Sequence, residues 1–186
     1  MDKAQQIIYA NETNKILKTI ADMGLNQSQR LRAKNLALLF RDSFKSDDVR
    51  RATFPDEEPL APEIAERIWP SNGFCRASSV AFCTLMGGAE NGWKLMAIPE
   101  IFAPYGPHHY ILHQPSNTIL DLTADQFTHM SGLQDIPYKY GKPIFDRVVA
   151  NDSPANFANA LGIDLVAEAS KLKPIRNKNA KARAGR

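Results

Sequence analysis

No stretch of the chain approaches the roughly 20 consecutive apolar residues that a membrane-spanning helix needs, so nothing in it reads as a membrane span. The opening Met1-Asp2-Lys3-Ala4-Gln5-Gln6 lacks the basic-then-apolar build of a secretory signal, and a cytoplasmic location is the expectation. Cysteine is scarce, with two in 186 residues. If Cys75 and Cys83 share a helix, a rise of about 1.5 Å per residue sets them about 12 Å apart, beyond the ~7 Å reach of a disulfide. Both thiols are therefore expected free, as in a reducing compartment. Acid is missing from one end only. Seven of the 23 Lys and Arg lie between Lys171 and Arg186 with no Asp or Glu among them, leaving 16 against 20 acids and a formal charge of −4 before Lys171. That basic segment also lacks aromatics to stack a base. A sequence-neutral phosphate contact is the most it offers a nucleic acid, and so polar a segment is expected to be disordered.

What is present suits one soluble domain: 44% apolar and 23% charged residues in a chain of one-domain length. Ile7, Ile8, Ile16, Leu17 and Ile20 recur at helical spacing ahead of Gly24, a stop signal. A second helix is expected from about Gln27, with Leu31, Asn35, Leu38, Leu39 and Phe40 before the polar Lys45-Ser46-Asp47-Asp48. The two predict a helical hairpin over residues 1–50, packed on a main domain at 51–170. Within that domain, residues 53–62 read as a proline-rich loop, and Pro62-Glu63 opens a short helix to about Ile68. Trp93 to Ile98 reads as a strand. His109–His113 and Thr118–Leu122 read as a β-hairpin closed through Gln114-Pro115-Ser116-Asn117. A short strand is expected at Phe145–Val149, then a helix from Ser153-Pro154 with Ser at the cap, and another from Asp164 to Ser170.

The chemistry concentrates in two stretches. Gly73-Phe74-Cys75-Arg76-Ala77-Ser78-Ser79 opens an apolar helical run that stops at Gly87-Gly88. A thiol at a helix start is favoured as thiolate by the partial positive charge there, and a neighbouring imidazolium favours it more. The backbone N–H of Cys75 would be one of the unpaired donors of the first turn, available to a developing oxyanion, with Asn72 a candidate second donor. Cys83 reads as a small buried hydrophobe. The second stretch holds His108-His109-Tyr110-Ile111-Leu112 and then Ile119-Leu120-Asp121-Leu122-Thr123. A histidine on one strand and an aspartate on the next make a base and its orienter. Strand parity puts His109, Ile111 and His113 on one face, with His108, Tyr110 and Leu112 on the other. Spacing does not choose between the two histidines, because the hairpin register decides which face meets Asp121. A structural reading instead gives Asp121 or Thr123 to backbone N–H groups of a turn. Metal is disfavoured: His109 and His113 would lie roughly 13 Å apart along a strand at about 3.3 Å per residue. His129 reads as an exposed loop residue, and no cofactor is expected.

These segments resemble the YunG-like small bacterial and phage proteins, a branch of the papain-like and transglutaminase-like cysteine enzymes. The resemblance rests on Gly73, Cys75, Gly87, Gly88, His109, Tyr110, Asp121, Leu122, Thr123, Gln126 and Phe127, and covers roughly residues 70–130. Phe74 stands where many relatives carry Gln, and Ile111 where they carry Trp. The resemblance implies an α+β, papain-like fold: a central helix carrying the cysteine, packed on an antiparallel sheet. It also implies Cys75, His109 and Asp121 as the triad; beside these, Asn72, His108 and Gln126 are the oxyanion or substrate candidates. The expected function is cysteine-dependent acyl transfer through a thioester. Peptidase, deamidase and transglutaminase-like transferase share those steps, acting on a protein, peptide or small amide. The alternative is an inactive binding module of the same fold, its basic segment contacting nucleic acid or a protein partner.

Overall fold

In a computed structural model, the described residues are 1–58, 69–99, 107–127, 136–146 and 148–172. The expected helix from Pro62, His129 and the basic segment beyond Leu172 lie outside them. The described architecture is α+β, with six α-helices and one four-stranded antiparallel sheet among those residues.

Helices α1 (Lys3–Asp22) and α2 (Gln27–Ser43) form the predicted hairpin, each opened by a capping box, Asp2 with Gln5 and Asn26 with Gln29. Gly24 follows α1 at a φ of +68°, a conformation that favours glycine. The buried face of α2 differs from the expected one. Leu31, Leu38 and Leu39 are exposed, while Ala33, Ala37, Phe40 and Arg41 are buried. Small residues let α2 approach its neighbours closely, so the stripe inside is the Ala and Phe one rather than the Leu one. The polar run after it was expected to end the helical region. It caps a further helix instead: the Ser46 side chain accepts from the N–H of Val49 and opens α3 (Asp47–Thr53), whose first turn holds Asp47 and Asp48.

Helix α4 (Cys75–Leu85) is the centre of the main core, with Ala77, Val80, Ala81 and Phe82 all buried. It packs on α2, on strand β1 (Trp93–Ile98), on β2 (His108–His113), on α5 (Ser153–Ala160) and on α6 (Leu165–Ser170). Rings of Phe40, Phe44, Phe74, Phe82 and Phe157 meet between the hairpin and α4, with centroids 4.8–6.5 Å apart. The hairpin thus shares one apolar core with α4 and the sheet.

Strand β3 (Thr118–Leu120) and β4 (Lys142–Pro143) complete the sheet in the order β3-β2-β1-β4. The strand expected around Phe145–Val149 is displaced to Lys142–Pro143, and Phe145 and Val149 are exposed and outside any strand. Ile144 N–H still donates to Leu95 O, after which the chain leaves the sheet. Helix α5 starts one residue away from expectation, because Asp152 caps it and Ser153-Pro154 fill its first two positions.

Candidate active site

The nucleophile candidate stands where the sequence reading placed it. The turn from Trp69 to Phe74 is closed by Asn72 N–H to Trp69 O and Phe74 N–H to Ser71 O, with Gly73 at a φ of +81°. Arg50 pins this turn by donating to Pro70 O and Asn72 O. Cys75 is then the first residue of α4, so its N–H has no intrahelical acceptor. Phe74, where the resemblance has Gln, is fully buried and stacks on Phe44 at 4.8 Å, so it belongs to the core. Asn72 is exposed, and the hydrogen bonds it makes in this turn run through its backbone.

The hairpin register decides the histidine question. Ile111 faces Leu120, Leu112 faces Ile119 and His113 faces Thr118. Continued one step, the register sets Asp121 opposite Tyr110, on the face that also carries His108. His108 Nε2 lies 2.6 Å from Asp121 Oδ2, with both side chains almost wholly buried. The pairing of Asp121 with His109 implied by the resemblance is therefore corrected: the carboxylate bonds His108. His109 faces α4 instead, with Nδ1 3.9 Å from Cys75 Sγ. His108 acts on the thiol too, favouring its ionised form. With Asp121 on Nε2, the other ring nitrogen of His108 is Nδ1. Gln126 Nε2 sits 3.2 Å from that same Nδ1, and Phe127 meets the His108 ring edge-on at 4.6 Å.

Asp121 makes contacts of both kinds expected of it. Its Oδ1 accepts from the N–H and hydroxyl of Thr123, as a turn aspartate does, while Oδ2 is shared by His108 and the Tyr138 hydroxyl. Burial would raise its pKa, but the His108 charge and these bonds hold it below the ordinary carboxylate range. Burial likewise pushes His108 down, and the charge and hydrogen bond of Asp121 outweigh that and carry it up to about 10. For Cys75, burial raises the thiol, yet His108, by its nearness and its charge, and the contact with His109 bring it down to about 6. Cys83 has only the burial and is pushed up to about 12. These shifts favour a thiolate beside an imidazolium beside a carboxylate.

Two features escaped the sequence reading. Tyr138 opens a three-residue 3-10 turn, Tyr138–Tyr140, that no sequence motif marks. Arg41, buried in α2, donates to Leu122 O at 3.1 Å and to Asp125 Oδ1 at 2.8 Å, and Ser71 donates to the same oxygen at 2.7 Å. The turn before Cys75 and the turn after Asp121 are thereby tied to one guanidinium of the helical hairpin. An arginine within a helix ordinarily reads as surface, and only an acid with no solvent-facing role nearby would have hinted otherwise.

A cavity of about 550 Å³ lies at the other end of α4, against Cys83, Trp93 and Val166, and does not include Cys75. Among the described residues no group of three or more His, Cys, Asp or Glu is placed to hold a metal ion, and no helix is long and apolar enough to cross a membrane. Comparison of the chain with protein-family models, curated proteins and solved structures finds no match.

Proposed function

We propose that the chain is a cysteine-dependent acyl-transfer enzyme of papain-like type, with Cys75 as nucleophile, His108 as base and acid, and Asp121 as orienter. One observation carries the reading: an imidazole whose charge favours a helix-start thiolate is held from behind by a buried carboxylate at 2.6 Å. The thiolate of Cys75 attacks the carbonyl carbon of an amide, and the carbonyl electrons move to oxygen beside the Cys75 N–H. As the C–N bond breaks, His108 Nδ1 gives its proton to the leaving amine and a thioester remains. Water, deprotonated by the same nitrogen, then releases the acid, while an amine in place of water completes a transfer. Peptide, protein and small-amide substrates all fit these steps. Asn72 and Gln126 are the candidate further oxyanion donors, and His109 is a second imidazole on the thiolate.

A second reading has an observation on its side. The Gln126 amide rests on His108 Nδ1, the nitrogen the thiol needs, as in a site kept for binding rather than turnover. That module would contact nucleic acid or a protein through Lys171–Arg186. Mass spectrometry after treatment with a peptide-derived acyl or vinyl electrophile separates the two. The enzyme predicts an adduct on Cys75 and not on Cys83, abolished at pH 6–7 in His108→Gln and largely retained in His109→Gln. The reverse order for the two histidines would return the base to His109. An adduct untouched by either substitution would sink the base assignment.

A further inference from the structure

Asp121 is the most heavily used side chain of the site. Four donors reach it, which fills the roughly four acceptor positions of a carboxylate. Three of them come from the hairpin that carries the site: His108 Nε2, Thr123 N–H and Thr123 Oγ1. The fourth, Tyr138 Oη at 2.8 Å, comes from a 3-10 turn outside that hairpin, Tyr138–Tyr140. It takes Oδ2, the oxygen that His108 also uses.

The turn is built to put it there. The Tyr110 ring meets the Tyr138 ring edge-on at 4.9 Å, and the Tyr110 hydroxyl donates to Tyr138 O at 3.2 Å. Gly141 lets the turn close over Tyr110, since a Cβ at that position would lie 1.8 Å from the Tyr110 oxygen. Burial, and then the Asp121 charge, keep the Tyr138 hydroxyl protonated far beyond its ordinary range, so toward the carboxylate it acts as a donor.

We propose that Tyr138 is a positioning residue of the site, sharing Oδ2 of Asp121 with His108 and so limiting how tightly the carboxylate holds the imidazolium. The inference rests on the reading of Cys75, His108 and Asp121 as a catalytic set. A donor on the shared oxygen draws negative charge toward itself and leaves less for His108. An acid that must hand its proton to a leaving amine works best when that proton is not held too firmly. The charged and titratable groups that act on this carboxylate or on its two partners are His108 and Tyr110 of β2, Cys75 of α4, Tyr138 itself, and Glu12 of α1, whose charge is felt at Tyr138. None of the others donates to Oδ2 among the described residues.

Tyr138→Phe removes one oxygen and keeps the ring against Tyr110. The test is the pH–rate profile of iodoacetamide alkylation at Cys75, together with the ring-proton NMR titration of His108, in the full chain. The wild-type profile reports on the site itself: a Cys75 inflection near that of a free thiol would remove the underlying reading, whatever Tyr138 does. Given a low inflection in the wild type, Tyr138→Phe is expected to move the His108 titration upward by about half a pH unit or more, roughly threefold in proton affinity. Tyr110→Phe, which loses a hydroxyl that bonds a backbone carbonyl, should leave that titration in place. An unmoved or lowered His108 titration in Tyr138→Phe, with folding intact by circular dichroism, would overturn the proposal. An equal upward shift in Tyr110→Phe would overturn it as well.

Discussion

The two ends of α4 carry the same residue type and opposite chemistry. Cys75 and Cys83 stand eight residues apart on one helix. Burial pushes both thiols up, yet Cys75 is brought down to about 6 and Cys83 is left at about 12. The helix start has two imidazoles against it and a backbone N–H without an intrahelical acceptor. Cys83 shares a cavity wall with Val80, Trp93, Leu95 and Val166, and burial is the influence that sets its thiol. Burial alone therefore does not make a cysteine inert, and a helix alone does not make one reactive. The partners across the helix decide.

The largest expected effect tests that comparison directly. With inflections near 6 and 12, the thiolate fractions at pH 7 differ by about four to five powers of ten, only partly offset by the lower intrinsic nucleophilicity of a more acidic thiol. Iodoacetamide followed by peptide mapping should label Cys75 at least 100-fold faster than Cys83 in the folded chain, by this order-of-magnitude argument. Equal rates would erase the distinction between the two ends.

A smaller effect sharpens the cause. Asp121→Asn keeps the size and much of the hydrogen bonding but removes the charge that holds His108 as imidazolium. The Cys75 inflection should rise by about one unit or more, where one unit is about 1.4 kcal/mol. Stability should change with pH in a matching way. His108, raised from its ordinary 6.5 to about 10, contributes fully below 6.5, and that contribution is lost as pH rises through about 10. Asp121, held low, contributes above its unfolded range and loses that contribution as pH falls through its depressed folded value. The alkaline loss should shrink in Asp121→Asn under urea titration at pH 6 and pH 10. An unmoved Cys75 profile would mean that Asp121 serves only the turn.

The smallest effect lies at the other end. Cys83→Ala removes one sulfur from the wall of an existing cavity, and a cost of about 1 kcal/mol or less is expected in urea unfolding. The pH–rate profile of Cys75 should be unchanged. A shifted profile would show that the two ends are coupled through α4.

Much of the site was legible because its signals are local. Gly73 ahead of Cys75, the Gly87-Gly88 stop and the polar turn from Gln114 to Asn117 each act within a few residues. They placed α4 and the β2–β3 hairpin close to where the structure has them. The face of α2 was misread because counting Leu residues ignores how near a helix can approach through Ala33 and Ala37. Helix α3 was missed because Ser46-Asp47-Asp48 was read for polarity rather than as a cap followed by first-turn acids.

The amino-acid order by itself determined that a thiol would open a helix and that two histidines would sit side by side on one strand, because capping, turn chemistry and period-2 alternation are properties of neighbouring residues. Only the tertiary structure decided that Asp121 meets His108, since a one-residue change of register would turn the carboxylate to the other face. The same holds for Tyr138 on Oδ2 and for Arg41 between Leu122 and Asp125, which join residues 17 and 84 positions apart. Such contacts form only when separate segments are packed against one core, and no local pattern encodes the distance between them.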